Sequence, residues 1–310
     1  MELYNDIVLQ KDGYKTILYR NFSSPKPKAS ILLLHGMAEH HNRYYDFAKY
    51  LCSNGIDVYL YDHRGHGTDK MMKELGFYNN SGGNKIVIED ALEVLHYVMK
   101  NKRTNNLFLF GHSMGSLIAR NLIQQEDNLD GVILCGSTCP SWIISKVGLL
   151  LAHMIKSFYG PMHRSLFMNN LLFGGKPYKN LTTRTSFDWL TRDNNVVGTY
   201  IDDPYCGFIC TISFYIDLIK LSLQASKKSL MSKTRTDLPM FIISGEQDPV
   251  SNYGIEIRQL IAYYEKLKFN RITWKLYPLC RHELLQELNS HEVMEDIHNW
   301  INKILTHLEI

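Results

Sequence analysis

No apolar run in the 310-residue sequence approaches the ~20 residues that a bilayer-spanning helix requires, which argues against a membrane span. The opening residues, Met1-Glu2-Leu3-Tyr4-Asn5-Asp6, lack a basic stretch followed by an apolar one, so no secretory signal is expected. Cysteine occurs six times (Cys52, Cys135, Cys139, Cys206, Cys210, Cys280) without any C-x-x-C pair, and several of these lie inside apolar runs. Reduced thiols in a reducing compartment are the simplest expectation. Excess charge is scarce too: 34 Lys+Arg against 31 Asp+Glu leave +3, with no dense basic tract, so nucleic acid is not an expected partner. Repeats and low-complexity segments are absent. Together these features point to a cytoplasmic protein, with membrane-surface contact as a further expectation. The hydrophobic fraction of 45% is that of a globular chain, long enough for one large α/β domain with an insertion or for two domains.

Taken in order, residues 4–22 alternate loosely around Lys11-Asp12-Gly13 and predict a hairpin turning at Asp-Gly. Ile31-Leu32-Leu33-Leu34 predicts a strand buried on both faces, as in parallel sheets. Phe47, Ala48 and Leu51 mark one face of a helix stopping at Asn54-Gly55. Ile56–Tyr61 is the next strand, and Val87, Ala91, Leu95, Val98 and Met99 stripe a second helix. Strands follow at 107–110 and 131–136. Between about Ser137 and Thr236 the pattern is helical without buried strands. Trp142–Ile155 in that stretch is apolar on more than one face, as a helix buried among neighbours is; the other reading is that part of it lines an acyl pocket or touches lipid. The strand–helix rhythm resumes at 239–245, with a helix over 253–268 and a last strand over 271–277. Strands alternating with helices predict a mostly parallel, doubly wound α/β sheet.

Gly111-His112-Ser113-Met114-Gly115 stands between an apolar strand and a helical run. Strand, G-x-S-x-G, helix is the nucleophile elbow: a turn so tight that a Cβ at Gly111 or Gly115 would collide with its neighbours, lifting Ser113 to a helix N-terminus. A serine hydroxyl needs a base, and the base a carboxylate to orient it. In this arrangement they follow in the order Ser, Asp/Glu, His, each on a loop after a strand, and Asp248 and His282 fit. Glu246 is an alternative acid. His291 and His298 read as surface or packing residues, and His112 as packing beside the turn. An oxyanion hole would use the backbone N–H of Met114 and of Met37, with Gly36 letting the chain turn inward. Both methionine side chains would then wall the pocket. His35, His40, His41, His63 and His66 invite a metal reading, but acidic ligands at sensible spacing are missing, so no metal is expected. Gly65-His66-Gly67 is followed by Lys70 where a dinucleotide loop needs glycine, and no cofactor is expected.

His35-Gly36-Met37-Ala38-Glu39-His40, Asp62-His63-Arg64-Gly65-His66-Gly67, the elbow, Gly245-Glu246-Gln247-Asp248-Pro249 and Arg281-His282-Glu283 resemble the monoacylglycerol lipase/lysophospholipase branch of the α/β-hydrolases. Trp189-Leu190-Thr191-Arg192-Asp193 and Asp203-Pro204-Tyr205-Cys206-Gly207 share in the likeness, which runs from about residue 10 to 305. The resemblance implies a core of residues 1–137 and 237–310 with a helical cap of 138–236. It also implies a catalytic set of Ser113, Asp248 and His282, oxyanion donors at Met37 and Met114, and an apolar tunnel for one acyl chain. Cys280 departs from the pattern; a thiol close to the base would matter for inhibition by thiol reagents. The expected activity is hydrolysis of single-chain acyl esters, monoacylglycerols first and lysophospholipids next. Short esters, thioesters, acyl transfer, peptide cleavage and non-catalytic binding of a hydrophobic ligand are the alternatives.

Overall fold

A computed structural model describes residues 3–23, 25–174, 178 and 183–308. Its centre is an eight-stranded sheet of order β1-β2-β4-β3-β5-β6-β7-β8. The hairpin of β1 (Leu3–Leu9) and β2 (Lys15–Asn21) turns at Gly13, whose φ of 83° suits glycine. β2 runs antiparallel to β4 (Ile56–Tyr61). From β4 across β3 (Ala29–Leu34), β5 (Leu107–His112), β6 (Gly131–Cys135), β7 (Met240–Gly245) and β8 (Ile272–Tyr277), every pairing is parallel. The continuous apolar runs read from the sequence are therefore fully buried strands, because helices cover both faces.

On one face lie α1 (Tyr45–Ser53) and α10 (Ser290–Leu308), whose Phe47, Leu51, Ile297 and Ile301 pack with Ile31, Leu33, Phe108 and Phe110. On the other, α2 (Gly83–Asn101), α3 (Met114–Leu122) and α9 (Ile255–Lys266) bury Val94, Ile118 and Leu260 with Leu32, Leu34, Leu109 and Leu134. Parallel strands end on the same edge of the sheet. The loops carrying His35, Ser113, Gly136, Asp248 and His282 all leave from that edge, which explains how positions up to 247 residues apart can meet.

Between β6 and β7 the described residues hold five helices: α4 (Trp142–Tyr159), α5 (Leu166–Phe173), α6 (Asn194–Asp202), α7 (Ile212–Ala225) and α8 (Lys228–Met231). Three of them are capped: Ser165, Asp193 and Thr211 each accept a backbone N–H of the first turn. α7 is bolted to α3, where Arg120, fully buried, donates to Thr138 O at 2.7 Å and Ala225 O at 3.1 Å. The expectation that α4 is buried among neighbours fails. Only Ser145 and Ala152 are buried, while Ile144 is 70% and Phe158 81% exposed. Nothing among the described residues covers its outer side. No described helix is long and apolar enough to cross a membrane.

Candidate active site

β5 ends in a turn at Ser113, with φ 51° and ψ −117°, a region that side-chain-bearing residues rarely adopt. A Cβ on Gly111 would lie 2.4 Å from Gly115 O, and one on Gly115 2.1 Å from Leu34 O, so both glycines are required. Ser113 N–H donates to Cys135 O at 2.9 Å, and the Ser116 hydroxyl donates to Ser113 O at 2.6 Å. The elbow is thus pinned to β6 and to its own helix.

Asp248 and His282 meet beside it. Nδ1 of His282 lies 3.0 Å from Oδ2 of Asp248, which also accepts the Ser244 hydroxyl at 3.1 Å. Oδ1 accepts Val250 N–H at 2.8 Å. The alternative acid, Glu246, is exposed. Two glycines to which the motif reading gave no role, Gly245 and Gly136, give His282 its place. A Cβ on Gly245 would lie 2.1 Å from Cys280 O, and one on Gly136 3.1 Å from Cε1 of His282. Burial alone would lower the imidazole's pKa, but the charge and hydrogen bond of Asp248 raise it above its ordinary value. The His112 ring lies 4.8 Å from that of His282, tilted by 49°, and its pKa is held down at about 4, by burial and then by His282 itself.

On the opposite wall the loop after β3 presents its N–H groups in turn. Gly36 N–H is taken by Glu39 Oε1 at 2.5 Å and Ala38 N–H by His66 Nε2 at 3.1 Å. Among the described residues, the N–H groups of Met37 and Met114 have no such partner, and both residues line the same cavity as Ser113 and His282. The Met114 thioether accepts the Tyr78 hydroxyl at 3.0 Å, which fixes that wall.

Three of the histidines that suggested a metal brace this loop. His35 Nδ1 faces Gly36 O at 2.7 Å while its Nε2 accepts His63 N–H at 3.0 Å, which sets its neutral tautomer. Burial, before any charge, pushes His35, His63 and His66 down to about 3. His41 Nδ1 pairs with Asp62 at 2.7 Å. His40 joins a group that sequence spacing did not reveal: with Asp203 and Cys206 it brings three potential ligand atoms within 4.8 Å, and its Nε2 is 2.8 Å from Asp203 Oδ2.

Further residues escaped the motif reading because their partners are remote in sequence. Arg43 bridges Glu39, at 2.7 Å, and Glu283, at 2.5 and 2.6 Å, tying the loop after β3 to the residue beside His282. Burial would raise Glu39, yet Arg43, aided by His112 and His35, holds it at about 2. The inserted segment grips both loops. Tyr200 hydroxyl and Gly207 N–H each donate to Ala38 O at 2.9 Å; Glu283 N–H donates to Leu190 O at 2.7 Å, and the Trp189 ring sits 5.3 Å from His282. These contacts explain the two motifs inside the insertion. Cys280 does not reach the base: it is fully buried outside the cavity, where its thiol donates to Asn289 Oδ1 at 3.1 Å.

Ser113, His112 and His282 open onto a cavity of about 1080 Å³. Ile143, Ile144, Val147, Leu151, Leu218 and Ile219 from α4 and α7 form its apolar side.

A mostly parallel sheet with Ser113, Asp248 and His282 on loops of one edge is the architecture of an α/β-hydrolase. The family described as serine aminopeptidase, S33, matches residues 25–289, and the chain belongs to it. It is 26% identical over 89% of its length to a monoglyceride lipase homolog of Monkeypox virus, covering 90% of that protein. To an uncharacterized abhydrolase domain-containing protein of Dictyostelium discoideum it is 23% identical over 90% of its length, spanning only 27% of that longer chain. Its fold is similar to that of a thermostable carboxyl esterase from Bacillus coagulans solved with glycerol, with a TM-score of 0.84, 24% identity, and 98% and 99% of the two chains covered.

Proposed function

We propose that this hydrolase cleaves single-chain acyl esters, monoacylglycerols foremost, through an acyl-enzyme on Ser113. Ser113 Oγ attacks the ester carbonyl as His282 Nε2 takes its proton, and the oxyanion is held by the N–H groups of Met37 and Met114. The imidazolium returns the proton to the leaving alcohol. Water, deprotonated by His282, then releases the acid and frees Ser113. Asp248 accepts from Nδ1 throughout, keeping Nε2 toward the cavity and favouring the charged ring.

The observation that carries this reading is one cavity of about 1080 Å³ that Ser113 and His282 share with the apolar faces of α4 and α7. A single acyl chain suits such a space. Support for a glycerol ester comes from the likeness to a monoglyceride lipase homolog and to an esterase solved with glycerol. In this reading residues 138–236 are a cap over a core of 1–137 and 237–310, and α4 meets the membrane surface that delivers substrate. Trp142, Ile144, Leu150 and Phe158, each at least 63% exposed, support that contact. The six buried, unpaired thiols suit the cytoplasm.

The test is turnover of monoacylglycerols, lysophospholipids and short p-nitrophenyl esters, with Ser113→Ala as control. Preference for long-chain monoacylglycerol, lost in the variant, is expected. Turnover of short esters alone removes the lipid assignment, and turnover that survives Ser113→Ala removes the mechanism. Vesicle co-sedimentation unchanged by Leu150→Glu and Phe158→Glu removes the membrane contact.

A further inference from the structure

The charged lining of the cavity is one-sided. Glu39, Glu256 and Glu283 face it, and among the described residues no Lys or Arg does. Glu39 and Glu283 share the single guanidinium of Arg43, at 2.7 and 2.5 Å. Glu256, on the first turn of α9, has no ion pair among the described residues: its Oε2 accepts from Cys139 N–H at 2.7 Å and from the Thr138 hydroxyl, both neutral donors. The buried Arg120 behind Thr138 acts on Glu256 only through space, because its Nη groups are taken by Thr138 O, Ala225 O and Ser226 Oγ. Three lining carboxylates against one guanidinium leave the immediate wall two charges negative.

We propose that this acidic wall makes the enzyme select acyl esters that carry no negative charge, and that Glu256 is the specificity-determining residue. Glu39 and Glu283 are bound into the architecture by Arg43. Glu256 is the lining carboxylate whose charge nothing cancels at contact distance. Beside largely apolar walls, a second negative charge several ångströms away is disfavoured by about tenfold or more. A neutral glycerol head group enters without this penalty, whereas a phosphate- or carboxylate-bearing ester meets it. The inference rests on the ester-hydrolase reading above and narrows it from acyl esters in general to uncharged ones.

The experiment compares p-nitrophenyl pentanoate with the mono-p-nitrophenyl ester of glutaric acid, whose acyl groups have the same number of carbons and differ by a terminal carboxylate. Values of kcat/KM are measured at pH 8 and low salt for the wild type, Glu256→Gln and Asn252→Lys. The glutamine keeps an acceptor for Cys139 and Thr138; the lysine places a cation on the cavity wall without touching Glu256's bonds. The wild type is expected to prefer the neutral ester by about tenfold, a ratio that either variant, or added salt, narrows severalfold by raising glutarate turnover. Equal turnover of both esters by the wild type, or an unchanged ratio in the folded variants, overturns the proposal. Because these esters do not require a glycerol head group, the outcome is separate from the monoacylglycerol assignment, which fails only if no monoacylglycerol is hydrolysed.

Discussion

Asp248 Oδ2 lies 3.0 Å from Nδ1 of His282, although 34 residues separate them. Both side chains are buried, at 0% and 2% exposure, so neither charge is shared with bulk water. The pair decides which ring nitrogen carries the proton and how readily the other accepts one. In Asp248→Asn the amide can hydrogen-bond the wrong tautomer, and kcat should fall about 10³–10⁴-fold. The acidic limb of the residual activity should also move to lower pH. With the carboxylate gone, burial, which lowers the His282 pKa, is no longer outweighed. A pH–rate profile of the variant with an unmoved limb would contradict this account.

Ser113 holds a φ of 51° that costs on the order of 1–3 kcal/mol for a residue with a side chain. Ser113→Gly should therefore be inactive yet at least as stable as the wild type, gaining about 1 kcal/mol after the entropy cost of glycine. Ser113→Ala, equally inactive, keeps the strain and should show no such gain. Parallel thermal melts of the two variants separate strain from chemistry.

Arg43 stands between two buried carboxylates, and its removal leaves both uncompensated. Arg43→Met should destabilise by about 3–5 kcal/mol and, by freeing the loop after β3, lower kcat. The triple variant with Glu39→Gln and Glu283→Gln should recover most of the stability without the activity. Denaturant unfolding of the single and triple variants checks both statements.

His35, His63 and His66 remain neutral in the fold until the pH nears about 3, whereas in the unfolded chain they protonate near 6.5. Between those values the unfolded state binds more protons. Stability is therefore present above 6.5 and lost as the pH falls, by about 1.4 kcal/mol per pH unit for each ring. Melting temperatures should drop steeply from pH 7 to 5. The slope should flatten in His63→Gln, which removes one titrating group; an equal slope would show that other groups dominate acid sensitivity.

The exposure of α4 and the isolation of Cys280 show where sequence reasoning stops. The apolar content of Trp142–Tyr159 is plain in the residues, but whether it is covered depends on what packs against it, and most of its large side chains stay exposed. Cys280 lies two positions before His282, yet the backbone turns its thiol toward Asn289. Neighbours in sequence need not be neighbours in space.

Local chemistry was legible throughout. Continuous apolar runs marked buried parallel strands, Asn54-Gly55 marked a helix end, and two glycines around Ser113 marked a turn that admits no Cβ, because each feature is decided within a few residues. The order Ser113, Asp248, His282 was legible for the same reason: each follows a strand, and parallel strands end on one edge. Long-range pairing was settled only in three dimensions. The bridge from Arg43 to Glu39 and Glu283, the grip of Tyr200 and Gly207 on Ala38, the neutral histidines bracing the loop after β3, and the bonds of Glu256 to Thr138 and Cys139 on the cavity wall all join residues that no spacing relates. Charge and hydrogen-bond partners become defined only when the packed chain excludes water from between them.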